Sequence, residues 1–197
     1  MQRLLLIIAC LWILASCKPT EFVPKPTGYF RLDTPAQHQY QRFDRPDFPY
    51  SFEYPVYSNI QQDTAYYSEK ARNPYWININ VEPPLGAIIN ITYLPIHSRD
   101  EFEKMLNDSY GLSTFHEKKA DYIKEEQYHN SYGVSGIVYT VGGNSASRIQ
   151  FIATDSLHHF VRGALYFDVT PNADSLKPAT DFLEKDINHF LETIRFK

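Results

Sequence analysis

YWININVEPPLGAIINITYL, residues 75–94, is the stretch that decides the fold. In its first half Ile77, Ile79 and Val81 alternate with Asn78 and Asn80, so apolar side chains share one face and carboxamides the other. Pro83-Pro84-Leu85-Gly86 turns the chain, and Ile89, Ile91 and Tyr93 then repeat the period of two. Two amphipathic strands joined by a short turn define a sheet that buries one face.

Four further strands are predicted downstream, at Tyr122–Tyr128, Val134–Val141, Arg148–Ala153 and Phe160–Val169. Gly142-Gly143-Asn144 separates the second from the third as a hairpin signal, and Thr154-Asp155-Ser156 separates the third from the fourth. In the last strand Val161, Leu165, Phe167 and Val169 point one way, and Arg162, Tyr166 and Asp168 the other. Between the two groups of strands lies a helix signal. Ser98 and Glu101 form a capping box, and Phe102, Met105, Leu106 and Tyr110 form the helical stripe. A second helical piece is predicted from Ser113 to Ala120. A terminal helix is expected from about Pro178, with Ala179, Phe182, Leu183, Ile187, Phe190, Leu191 and Ile194 on one face. The order predicts an α+β fold: a mainly antiparallel sheet with helices packed on it, similar in outline to the PsbP/Mog1-like fold. That outline by itself implies no function.

Upstream, prolines recur every few residues from Gly28 to Tyr57, which excludes a helix. The segment is also rich in aromatics, which predicts ordered extended chain packed on the core. KPTEFVPKP, residues 18–26, reads as an extended tether. At the amino end, Arg3 precedes eleven apolar residues, Leu4 to Leu14, too few to span a bilayer as a helix. Leu14-Ala15-Ser16-Cys17 then resembles the bacterial lipobox, which implies removal of residues 1–16 and acylation of Cys17. Residues 17–27 become a lipidated tether, and 28–197 a single globular domain. Cys10 leaves with the leader and acylation consumes the Cys17 thiol, so no intrachain disulfide is expected.

The chain carries 19 basic and 23 acidic side chains; without Arg3 the formal charge is −5. No basic stripe appears, which excludes nucleic acid as the expected partner. Thirty aromatics, fifteen of them Tyr, are expected mainly at half-buried strand positions with wet hydroxyls; a sugar-binding aromatic face is the sharper alternative. No G-x-S-x-G, H-E-x-x-H or P-loop occurs, so no catalytic residue, metal or cofactor is expected. Gly142-Gly143-Asn144-Ser145 reads as a turn rather than an anion nest. His158-His159, His116 and His189 lack metal-ligand spacing. Asp155, Ser156 and His158 contain the residue types of a nucleophilic triad without its context. Polar groups at loop ends, Asp155, Ser156, Asn172 and Asp174 with Arg162, are the candidate partner-docking face, although Asn172 and Asp174 are also turn and cap formers.

The stretches GYFRLD (28–33), FEYPVYS (52–58), HEKKADYI (116–123), QFIATDSLHHFVRGALYF (150–167) and PNADSL (171–176) resemble the gliding motility lipoprotein GldD family of Bacteroidetes. The resemblance implies an envelope lipoprotein of the gliding and linked type IX secretion machinery, with Cys17 as the acylated residue and other envelope proteins as partners. It implies no catalytic activity. The competing expectations are a periplasmic ligand-binding lipoprotein for glycan or peptidoglycan, and an envelope hydrolase; a small ligand is not expected. Lys18 stands where inner-membrane retention uses Asp in some bacteria, and no acidic run follows it, so the domain is expected to face the periplasm.

Overall fold

The computed structural model describes residues 34–63, 65–66, 69–70, 73–114 and 120–197. Cys17, the whole tether at 17–27, residues 28–33, His116 and most of the helical piece predicted at 113–120 lie outside them. Three short strands open the fold: β1 (Tyr40–Phe43), β2 (Tyr50–Pro55) and β3 (Ser58–Gln62). A two-stranded ribbon follows, β4 (Ala65–Tyr66) with β5 (Glu69–Lys70). Then come β6 (Ile77–Val81), β7 (Ala87–Pro95), α1 (Arg99–Thr114), β8 (Ile123–His129), β9 (Ser135–Val141), β10 (Ser147–Thr154), β11 (His159–Phe167), α2 (Ala173–Thr193) and β12 (Arg195–Phe196).

Seven strands form one sheet in the order β3-β6-β7-β11-β10-β9-β8, every neighbouring pair antiparallel. A second sheet has the order β1-β2-β12. The alternation in β6 and β7 places Ile77, Ile79, Val81, Ile89 and Ile91 on the buried face. Phe151, Val161 and Leu165 continue that face across β10 and β11. It is covered by the small sheet, through Phe43, Tyr50 and Phe52, and by α2, through Leu183, Ile187, Phe190 and Leu191. The opposite face is partly covered by α1, whose Phe102, Met105 and Leu106 pack on Ile152, Phe160 and Tyr139. The fold is therefore α+β, mainly antiparallel, with a helix on each face of the large sheet.

Several boundaries differ from expectation for local reasons. α2 begins at Ala173 instead of near Pro178, because Asn172 caps it: its side chain accepts from the Ser175 amide at 3.0 Å. Pro178 is carried inside the helix. β11 ends at Phe167, so Asp168 and Val169 are off the strand and Val169 is exposed. At α1 the Ser98 hydroxyl accepts from the Glu101 amide at 3.2 Å, but Glu101 reaches back to the amide of His97, not Ser98. The described part of the aromatic segment, residues 34–57, packs on the core as expected, with Phe43, Phe48, Tyr50 and Phe52 buried. Its regular pairing as β1 and β2 was not anticipated.

Among the described tyrosines Tyr40, Tyr54, Tyr57, Tyr75, Tyr128 and Tyr166 are half-buried as expected, but three others are drier. Tyr50, Tyr93 and Tyr139 are buried, and protein groups take the place of water at two of their hydroxyls. Tyr50 donates to the Tyr75 carbonyl at 2.5 Å, and the Tyr93 hydroxyl lies 2.8 Å from His159 Nδ1. Phe43, Phe48, Tyr50, Phe52, Tyr75 and Tyr93 contact one another ring to ring, so these aromatics are interior packing and not a sugar-binding surface.

Candidate functional site

α1 crosses only part of its sheet face, and the uncovered remainder forms a cleft of about 620 Å³ between helix and strands. Trp76, Leu94, Met105 and Phe160 give it apolar walls, and Thr92 and Arg162 lie on the strand side. Arg162 stands at the middle of β11, beside Thr92 of β7 and Ile152 of β10. Its guanidinium donates to Gln150 Oε1 at 2.7 Å, and Gln150 is itself buried. Beyond the cleft the same sheet face is a field of carboxamides, where Asn59, Asn78, Asn80 and Asn90 bond to one another or to neighbouring side chains.

The other sequence-selected residues are not gathered there. Asp155 and Ser156 form the β10–β11 turn. Asp155 Oδ1 accepts from three successive amides, Leu157 at 3.0 Å, His158 at 2.9 Å and His159 at 2.8 Å. The Ser156 amide donates to Thr154 Oγ1, and Ser156 takes a φ of 63°. Asp155 therefore builds a turn and does not orient His158 as a triad acid would. Asn172 and Asp174 lie past the other end of β11, at the start of α2. A nine-residue strand is roughly 30 Å long, so the five candidates do not form one face. Asn144 is likewise structural: its Oδ1 accepts from the Ala173 amide at 2.8 Å and ties the glycine hairpin to the first turn of α2.

A second cluster was not anticipated. Asp186 sits on the buried face of α2 with a side chain 0% exposed. Its Oδ1 accepts from His38 at 2.7 Å and from the Tyr40 hydroxyl at 3.0 Å, and its Oδ2 accepts from the Tyr57 hydroxyl. Burial, with the Asp186 carboxylate beside them, raises the Tyr40 and Tyr57 hydroxyls well above their ordinary range, so both remain donors. His38 stacks on Phe182 at 4.2 Å and Tyr40 on His189 at 3.6 Å, while His189 Nε2 meets Glu53 at 2.7 Å. The cluster fastens the segment entering β1 to the last helix. It also employs His189, while His159 engages Tyr93 and stacks on Phe196 at 4.8 Å. Of the histidines with metal-ligating side chains, His159 and His189 thus serve separate packing sites and His158 is exposed, while His116 lies outside the described residues. Among the described residues no group of three or more His, Cys, Asp or Glu side chains converges on one point.

These features define an α+β sheet protein with a helix on each face and a mixed apolar and polar cleft under one of them. Among solved structures, the chain is similar to the cyanobacterial PsbP protein CyanoP of Synechocystis sp. PCC 6803, at 12% identity and a TM-score of 0.48, over 88% of this chain and 100% of that one. No curated protein matches it. Residues 19–196 match the family model described as gliding motility lipoprotein GldD, and the chain belongs to that family. It is accordingly a lipoprotein related to gliding motility, a class held at a membrane by its lipid.

Proposed function

We propose that the protein is a non-catalytic component or assembly factor of the gliding machinery and of the linked type IX secretion apparatus, anchored by acyl chains on Cys17. Its domain, residues 28–197, stands in the periplasm on the tether 17–27 and binds other envelope proteins. The observation that carries this reading is family membership over residues 19–196. The lipobox-like Leu14-Ala15-Ser16-Cys17 supports the anchor, since two or three acyl chains at about 0.8 kcal/mol per buried CH₂ give durable attachment. Of the five polar residues selected from sequence, Arg162 is retained for docking because it lines a cleft. Asp155, Ser156 and Asn172 are engaged in turn and cap hydrogen bonds, and Asp174 lies in the same first turn of α2.

The reading is tested in the native cell. Cys17→Ser is expected to abolish acyl labelling and to move the protein out of the membrane fraction; normal labelling would refute the anchor. Crosslinking of the unmodified lipoprotein is expected to recover gliding or secretion components. Recovery of peptidoglycan fragments without such proteins would favour the glycan-binding alternative.

A further inference from the structure

We propose that the cleft between α1 and the large sheet binds a peptide segment of another envelope protein that carries a carboxylate beside apolar side chains, with Arg162 receiving the carboxylate. This deepens the docking reading above and rests on it.

Charge is the first observation. Gln150 is a neutral acceptor: it fixes the direction of the Arg162 guanidinium without neutralising it. Among the described residues no ion pair reaches Arg162. The other charged side chains of the cleft, Glu101, Lys104 and Asp108, are exposed, and Glu101 is engaged by the His97 amide. Arg162 is therefore the one half-buried charge among the described residues of the cleft, and no carboxylate pairs with it. A guanidinium presents a planar fork that matches a carboxylate with two parallel hydrogen bonds, and pairing strengthens as water is excluded.

The walls are the second observation. Trp76, Met105 and Phe160 make the interior apolar, and Leu112 stands 53% exposed at the rim. The volume, about 620 Å³, lies in the range of sites that hold a few side chains or a small ligand. A neutral glycan leaves the guanidinium uncompensated. An acyl chain is best held by an enclosed apolar tunnel, whereas the polar Asn73, Thr92, Ser109 and Arg162 line this cleft. A carboxylate flanked by apolar peptide side chains satisfies charge and wall together.

The sequence supplies its own reporter. Its two tryptophans are Trp12, in the leader, and Trp76, in the cleft wall. The acylated protein beginning at Cys17, in detergent, is probed with an array of random pentapeptides bearing free or amidated carboxyl ends. The best binder is then titrated by Trp76 fluorescence. The expected result is selection of a carboxylate next to Leu, Phe or Met, and saturable change of Trp76 emission. Arg162→Gln should weaken binding at least tenfold at unchanged melting temperature, with partial recovery in Arg162→Lys. Leu112→Ala, at an exposed position, should weaken it severalfold and serves if Arg162→Gln fails to fold. Absence of acidic selection, equal binding by Arg162→Gln, or saturation by decanoate or chitotetraose in place of peptide would each overturn the proposal. Loss of peptide binding in Arg162→Gln with its crosslinked partners intact in the cell would overturn the cleft as the docking site while leaving the family role standing.

Discussion

The β10–β11 turn shows how single residues set the response of this fold to acid. Burial pushes the Asp155 carboxyl up, but the amides of His158, His159 and Leu157 together outweigh it and hold the carboxyl below its usual range. At His159 burial dominates and lowers the imidazole, with the Asp155 charge opposing it in part. The Tyr93 hydroxyl is pushed up to about 12 by burial and by the nearby Asp155 charge, so it stays the donor to Nδ1 of the neutral ring. Both depressed groups act in the same direction. The contribution of His159 is complete above its unfolded value near pH 6.5 and fades as pH falls through its lower folded value. The contribution of Asp155 is complete above about pH 3.9 and fades below it. The urea midpoint is expected to decline in two steps from neutral pH downward, and His159→Phe should flatten the first. A first step that persists in that variant would assign it elsewhere. Asp155 was legible in sequence as a turn former; its threefold amide contact was not, since that depends on how the turn closes. Asp186 carries a signal in the sequence: it interrupts the stripe Leu183, Ile187, Phe190 at helical spacing, and a carboxylate there needs donors from elsewhere.

Among the elements, α2 joins the core most directly. Leu183 is fully buried on its inner face, and Asn130 closes its carboxyl end by donating to the Leu191 and Ile194 carbonyls at 2.9 and 2.8 Å. Leu183→Ala is expected to cost about 2–5 kcal/mol, measured as a lower urea midpoint at constant slope. A midpoint equal to wild type would show that α2 is not part of the core. Strands β6, β7 and β11 were readable because apolar residues alternate along them, and β9 and β10 because the Gly142-Gly143-Asn144 and Thr154-Asp155-Ser156 turns bound them. β1, β2 and β3 were hidden. They have four to six residues, Pro46, Pro49 and Pro55 break up any period, and Ser51 and Ser58 are buried polar residues that spoil the hydropathy pattern. The cleft was invisible for another reason: Asn73, Trp76, Thr92, Met105 and Arg162 come from four separate parts of the chain.

At the scale of the whole molecule the small sheet joins distant parts of the sequence. Arg195 and Phe196 pair with Ser51 and Tyr50, Arg195 Nε donates to Ser51 Oγ at 3.0 Å, and Lys197 meets Asp44 at 2.9 Å. Phe196 also stacks on His159. Deleting residues 195–197 is expected to lower stability by about 2–4 kcal/mol, from lost hydrogen bonds and ring contact. Denaturation at neutral pH checks this, and a truncated chain as stable as the full one would show that β12 contributes nothing. The closing of β2 by β12 also sets an order of events in time. A chain is made amino end first, so α2 and β12 follow every strand of the large sheet. Until they emerge, the apolar face of the large sheet is covered by Phe43, Tyr50 and Phe52 of the small sheet alone, and Leu183, Ile187, Phe190 and Leu191 are missing from the core. The core is therefore completed only after every strand of the large sheet has been made, and a nascent chain that stops short of α2 leaves part of that face open to water.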